Sequence, residues 1–272
     1  MKLKQRAMAY PYVVWLLIFI VVPLLLVLYF SLTSKDGGFT LENYRRFMDP
    51  VYGKVLLRSV NLALVSTICC LILGYPMAMI IAKTDLSKRN LMLLLFVLPM
   101  WMNFLLRTYA WMTLLGKNGV INSLLQALRL PALDLLYNNG AVILGMVYNF
   151  LPFMILPIYS VLSKIDNTLL EAARDLGANE VIVFKKIIFP MSIPGVISGI
   201  TMVFMPALTT FVIPRLLGGG QDMLIGNLVE QQFTYVYDWN FGSAISIIMM
   251  LFILISMAAT SKYDNKEEGG LW

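Results

Sequence analysis

Six long apolar blocks, separated by short polar stretches, set the pattern of the chain: about 10–32, 55–82, 91–115, 140–162, 187–213 and 242–261. Each approaches or exceeds the roughly 20 residues with which an α-helix crosses a hydrocarbon core of about 30 Å. Within the blocks the apolar positions run together instead of alternating with polar ones. One compact core could not bury six such blocks while exposing so few charges. The pattern predicts an all-α membrane protein of six transmembrane helices, forming a single domain over residues 1–272, with no Gly/Ser linker or short repeat to divide it.

Composition sharpens this. Hydrophobic residues make up 59% of the 272 and charged ones 13%, with a mean hydropathy of +0.78, whereas soluble domains run nearer 45–50% and about 25%. A soluble enzyme is excluded. There is no His, and the two cysteines are adjacent, Cys69 and Cys70, inside an apolar block. That removes most metal-ligand sets and most nucleophile–base pairs. An intramembrane enzyme lacks a base, and a carrier working alone would want a buried acid and an internal repeat.

The formal charge of +6 follows the loops rather than forming a nucleic-acid-binding run. With the N-terminus inside, the inner segments carry twelve Lys and Arg, among them Lys83, Lys88 and Arg89 in the short loop 83–90, against nine outside. Short loops weigh most in the positive-inside rule, so the expectation is N-in and C-in. The first block follows Lys2, Lys4 and Arg6 as a signal peptide would, but its length and the lack of an Ala-x-Ala-like site favour a retained anchor. Loops 33–54, 116–139 and 214–241 then face outward, and 83–90, 163–186 and the tail 262–272 face inward.

The inner loop 163–186 is the most charged segment and still holds a helical pattern. Thr168 and Glu171 have capping-box spacing, and Gly177 fits the left-handed position after a helix. Leu169, Ala172, Ala173 and Leu176 form one apolar stripe beside Glu171, Arg174 and Asp175. A helix of about 8 residues is too short to stand alone in water. It needs either a partner or the lipid headgroups to pack on it.

The residues beyond this helix point to the partner. Glu171-Ala172-Ala173, three residues, Gly177, nine residues, then Ile187-Ile188-Phe189-Pro190 resembles the EAA loop of the permeases of binding-protein-dependent ABC importers. The departure is Phe189, where that family usually has Leu. The resemblance implies a type I importer permease fold and a bacterial inner-membrane location. It also implies that Glu171, Ala172, Ala173, Arg174, Asp175, Leu176 and Gly177 contact a separate ATPase. Further segments are similar to the polyamine (spermidine/putrescine) permeases of that family: Leu73-Gly74-Tyr75-Pro76, Leu98 to Asn103 with Arg107 to Trp111, Leu224 to Asn227, and Asp238 to Gly242. That likeness implies a second permease as heterodimer partner, an ATPase homodimer carrying ATP and Mg, and an extracytoplasmic polyamine-binding protein. The chain has no phosphate-binding loop of its own. Leu217 to Gln221 only echoes the ATPase signature in an outer loop. The same frame serves other small solutes: an amino acid, an oxyanion or iron.

For a polycation, the path should offer aromatic faces and neutral acceptors. No Asp or Glu lies in the six apolar cores. Trp101, Asn103, Tyr109 and Trp111 in the third block are candidates for lining it, and Asp222, Glu230 and Asp238, interleaved with Tyr235, Tyr237 and Trp239, for an outer vestibule. Arg107, the one charge well inside an apolar block, is expected to snorkel outward or bond a loop. Pro23, Pro76, Pro99, Pro152, Pro157, Pro190, Pro194 and Pro206 interrupt or edge the blocks, and the four around loop 163–186 are candidate hinges.

Overall fold

The computed structural model describes residues 10–220 and 223–264, and they are helical nearly throughout. In chain order the helices are α1 (Tyr10–Ser31), α2 (Glu42–Phe47), α3 (Pro50–Lys83), α4 (Leu86–Trp101), α5 (Phe104–Leu115), α6 (Val120–Ala127) and α7 (Asn139–Leu162). They continue as α8 (Asn167–Asp175), α9 (Glu180–Thr209), α10 (Val212–Leu217), α11 (Ile225–Gln231) and α12 (Trp239–Asp264). Among the described residues the β pairing is one antiparallel bridge, Thr33 to Phe39. Among the described residues five helices (α1, α3, α7, α9 and α12) are long and apolar enough to cross a membrane, or six spans if the bent pair of α4 with α5 and α6 is counted as one.

The third apolar block departs from its expected form. Instead of one helix over 91–115, α4 stops at Trp101, and the chain turns by 92° before α5 and α6 resume through Ala127. The break has a local cause. Asn103 leaves helical geometry, and its Oδ1 accepts from the amides of Leu105 (2.8 Å) and Leu106 (3.4 Å), capping a new helix. Pro99, three residues before the break, gives no amide to the carbonyls behind it. The fifth block also differs, because its helix starts at Glu180, within the polar loop, and not at about 187.

Contacts within the chain form two units. The first takes in the described parts of Met1–Leu56 and Leu228–Ile255. There Asn240 Nδ2 donates to the carbonyls of Phe30 and Thr33 and to Thr33 Oγ1 (2.7–3.1 Å), and Asn43 Nδ2 donates to the Ser31 and Thr33 carbonyls. These amides satisfy carbonyls at and just beyond the C-terminus of α1, which have no partner within the helix. None of the apolar window of α1 is buried within the chain.

The second unit takes in Leu57–Asn227 and the described residues from Ser256 on. Its core is a close approach of α3, α7 and α9. Met154 on α7 is fully buried, facing Gly74 of α3 and Gly199 of α9, and a Cβ on either glycine would fall within 3.0 Å of the Met154 side chain. Tyr75 Oη and Ser192 Oγ lie 2.8 Å apart and join α3 to α9. Small residues at such crossings let backbones meet where the hydrophobic effect cannot drive association.

Candidate functional site

The segment between α7 and α9 is built from its caps. Asp166 Oδ1 accepts from the Thr168 amide at 2.9 Å, so α8 starts at Asn167, and Asp166 takes the capping role expected of Thr168 and Glu171. A carboxylate there serves better than a hydroxyl, since it also meets the positive end of the helix dipole. The Thr168 amide holds the Asp166 carboxyl below its ordinary pKa. At the far end Gly177 has φ +84, its amide reaches the Arg174 carbonyl (2.9 Å), and the Ala178 amide reaches that of Ala173 (3.0 Å). This is the paired closure of a Schellman turn, which only glycine adopts without strain.

Asn179 then caps α9, its Oδ1 accepting from the Ile182 amide at 2.9 Å. Across the turn Arg174 Nε donates to Glu180 Oε1 at 2.7 Å and Nη2 to Oε2 at 3.4 Å. The hydrogen bond, and behind it the charge, lowers the carboxyl of Glu180 and raises the guanidinium of Arg174 relative to their ordinary values. The pair clasps the end of α8 to the start of α9.

The faces of α8 divide sharply. Leu170 turns inward and is buried, while Leu169 (44% exposed), Ala172 and Leu176 (89% exposed) face away from the chain. Of the stripe read from the sequence, only Ala173 is half covered. Glu171 and Asp175 flank it, also exposed. A leucine nearly as open as in an unfolded chain, held on a doubly capped helix, is a rigid knob without a socket in this chain. Beyond the clasp, Phe189 packs its ring 6.2 Å from Tyr75, and Phe184 lies 5.9 Å from it. An aromatic at 189 thus closes a three-ring cluster, which accounts for the departure from Leu.

The other candidates are dispersed. Trp101 is 75% exposed at the end of α4, Asn103 is spent as a cap, Tyr109 is half exposed, and Trp111 sits edge-on to Tyr148 at 5.3 Å. Among the described residues no ring contact joins Trp101 to Tyr109 or Trp111. Arg107 is 8% exposed, and its Nε and Nη1 have no partner among the described residues.

Asp222 lies outside the described residues, and Glu230 is half-buried on α11. Asp238 is 6% exposed, with Oδ2 on Arg46 Nη1 (3.0 Å) and Oδ1 on the Phe241 amide as the cap of α12. Arg46 lies 4.0 Å over the Phe241 ring. Burial opposes its charge, but the Asp238 and Tyr52 hydrogen bonds raise its pKa overall. The Asp238 carboxylate is therefore engaged within the chain, while Tyr235, Tyr237 and Trp239 remain exposed. Pro152, Pro157, Pro194 and Pro206 all lie inside continuous helices.

The comparisons with known proteins agree with this architecture. The chain is 41% identical to the spermidine/putrescine transport system permease protein PotB of Escherichia coli (strain K12) over 268 residues, 93% of this chain and 97% of that one. It is 40% identical to PotB of Haemophilus influenzae, with 93% of each covered. A bacterial ABC transporter involved in the import of the acidic polysaccharide alginate shares the fold, at a TM-score of 0.81 over 95% of both chains and 16% identity. The model of the binding-protein-dependent transport system inner membrane component matches residues 5–266, and the chain belongs to that family of inner-membrane ABC-transporter permeases.

Proposed function

We propose that this chain is the permease subunit of an ATP-driven importer of spermidine and putrescine, forming half of a translocation pathway that works by alternating access. The observation that carries the cargo is the identity of 41% to PotB over nearly the whole length. In this reading residues 1–272 are one transmembrane domain with six crossings, the elbow of α4 and α5 counting as one, and both termini are cytoplasmic. A PotC-like permease completes the pathway, a PotA-like ATPase homodimer supplies hydrolysis with its own ATP and Mg, and a PotD-like binding protein delivers cargo from outside. A polycationic cargo also accords with apolar cores free of carboxylates, because selection can reside in the binding protein. Among the competing cargoes, an amino acid, an oxyanion or iron, an anionic one would draw only on Arg107.

The mechanism rests on the rigidity of the turn. Leu169, Ala172 and Leu176 seat in the ATPase, with Glu171, Arg174 and Asp175 fixing register. When ATP closes the ATPase, α8 moves as a body. The Schellman turn and the Arg174–Glu180 clasp pass that motion to α9, and the backbone contact of Gly195 and Gly199 with α7 passes it to the helix on the other side of the loop. In the reconstituted four-component importer, Glu171→Lys reverses a register charge, and Gly177→Pro destroys the positive-φ turn. Both variants should insert normally, yet lose at least about tenfold in polyamine uptake per ATP hydrolysed, a loss equal to about 1.4 kcal/mol of coupling. Unchanged coupling in both would overturn the role of α8, and ATPase stimulation by an anion or amino acid in place of polyamines would overturn the cargo.

A further inference from the structure

The turn between α3 and α4 and the inward face of α8 border a cavity of about 510 Å³, within the size range of pockets that take small ligands. Three cations line it, Lys83, Arg89 and Arg174, against one acid, Asp85. Arg89 folds back on the end of α3, its Nε donating to the Thr84 carbonyl and its Nη2 to that of Ala82, both at 3.2 Å. Thr84 and Ala82 also line the cavity, so the guanidinium stands at its wall. There it offsets the negative end of the α3 dipole, which would otherwise oppose an anion. Arg174 is balanced by Glu180 across the clasp. The carboxyl of Glu180 is lowered chiefly by that hydrogen bond and charge, and also by the charge of Lys83, which puts the Lys83 ammonium within electrostatic reach of the same corner. No hydrogen bond or ion pair engages that ammonium among the described residues. With Arg174 balanced, Lys83 and Arg89 outweigh Asp85, and the cavity is positive.

Much of the remaining wall is apolar. Met79, Leu162, Leu170 and Ile188 come from α3, α7, α8 and α9, and the last three are buried. A cavity that joins cations to apolar side chains, where α3 and α7 end and α4 begins, fits an amphiphile better than a hydrated ion. Basic pockets between membrane helices on the cytoplasmic side take anionic lipid headgroups on this principle. A free phosphate would want donors on every side, and the apolar wall has none to give. A polyamine would meet the wrong charge.

We propose that this cavity binds the headgroup of an anionic phospholipid of the inner leaflet, and that the bound lipid braces α8 from behind. The proposal rests on the reading of α8 as a cytoplasmic coupling helix. The two faces of α8 keep the roles apart: Leu169, Ala172 and Leu176 face away from the chain, whereas Leu170 and Arg174 line the cavity. A lipid there stays clear of the ATPase seat. It fills the space into which a short helix pressed by the ATPase would otherwise sink, so the motion passes on to α9.

The test reconstitutes the complete importer in vesicles of phosphatidylcholine alone or mixed equally with phosphatidylglycerol. The readouts are polyamine uptake per ATP and, after extraction, the phosphatidylglycerol retained by the complex, measured by mass spectrometry. Phosphatidylglycerol should raise uptake per ATP at least about fivefold in the parent. One basic charge beside an anionic lipid is worth about fivefold in affinity, so Lys83→Glu should cut retention at least about tenfold and abolish the rise in uptake. Lys88→Glu reverses an exposed charge on the same turn that does not line the cavity, and should keep both. Equal losses in the two variants would show diffuse attraction to the membrane surface and overturn the site. Inorganic phosphate restoring uptake in phosphatidylcholine vesicles as fully as the lipid does would overturn the lipid as ligand. If Lys83→Glu fails to assemble, Lys83→Gln decides: retention about fivefold lower supports the site, and unchanged retention overturns it. Retention also separates this proposal from the reading beneath it. If Glu171→Lys and Gly177→Pro leave coupling intact, the brace falls with the role of α8; if they uncouple transport while retention ignores Lys83, the lipid site alone falls.

Discussion

Gly195→Ala tests the close approach of α7 and α9 with a single methyl group. A Cβ at 195 would stand 2.9 Å from the Pro157 carbonyl oxygen, 3.0 Å from Ile158 Cα and 3.0 Å from Val161 Cγ2, where ordinary contacts begin at 3.4 Å. Two of these three atoms are backbone, so no side-chain rotation relieves the clash, and the helices must part by several tenths of an ångström. Gly199, one turn further on the same face, meets the Met154 backbone and sulfur, so parting at 195 also loosens the buried contact at 154. Alanine gains about 1 kcal/mol in helix propensity, while overpacking in a close-packed core costs about 1–3 kcal/mol. The net expectation is a loss of about 1–2 kcal/mol. Gly53→Ala is the internal control: Gly53 lies in the first turn of α3 with nothing within 4 Å of the added methyl, so it should gain up to about 1 kcal/mol. Thermal unfolding of the two purified variants in one detergent should place Gly195→Ala several degrees below the parent and Gly53→Ala at or slightly above it. Equal midpoints would refute the argument that backbone contact, rather than propensity, decides this crossing.

Asp238→Ala removes both the partner of Arg46 and the cap of α12. It should lower stability by about 2 kcal/mol, read as a fall in thermal midpoint, since a lost cap alone costs about 1 kcal/mol. Arg107→Met replaces a guanidinium whose buried Nε and Nη1 have no partner among the described residues, and should raise the thermal midpoint of the isolated subunit by an amount equal to about 1–4 kcal/mol. A fall would show that the cation is paired. The Arg174–Glu180 clasp sets a pH dependence. Glu180 has its carboxyl lowered in the folded chain, so its contribution is present above the ordinary carboxylate value and is lost as pH falls through the lowered one. Amide protection over 176–183, corrected for intrinsic exchange, should hold between pH 8 and about 5 and decline below about 4, with the pH response abolished in Glu180→Gln.

How much of the fold and of the coupling loop was legible in the sequence depended on whether a local rule had competition. The block 140–162 became α7 almost residue for residue, because an Asn cap and a run of apolar residues agree there. The block 91–115 read equally well as one span, yet Asn103 broke it, since hydropathy measures composition and is blind to the direction of a helix. The left-handed Gly177 was legible because few residues tolerate that geometry. The sequence favours Thr168 as the start of α8, but Asp166, a stronger cap two residues earlier, wins the competition. The inward face of α8 was missed too, for the sequence shows an apolar stripe but not which side of a short helix the chain itself covers, and Leu170 took that place. Gly195 and Gly199, four apart on α9, were a readable signal of close helix packing that periodicity of large residues does not register.

The elbow at Met102 and Asn103 carries a consequence for how the chain is threaded. An even number of crossings returns a polypeptide to its starting side, and four crossings separate the N-terminus from α8 only when the bent pair of α4 and α5 counts as one of them. In the proposed six-crossing topology the bend therefore acts as a parity switch in topogenesis. Were the chain turned back at that point, every later segment would be delivered to the opposite face, and in the proposed arrangement α8 would be presented to the compartment without the ATPase. A single capping asparagine thus bears on sidedness some sixty residues downstream, so faults introduced there should register in reporter fusions beyond residue 130 before they register in stability.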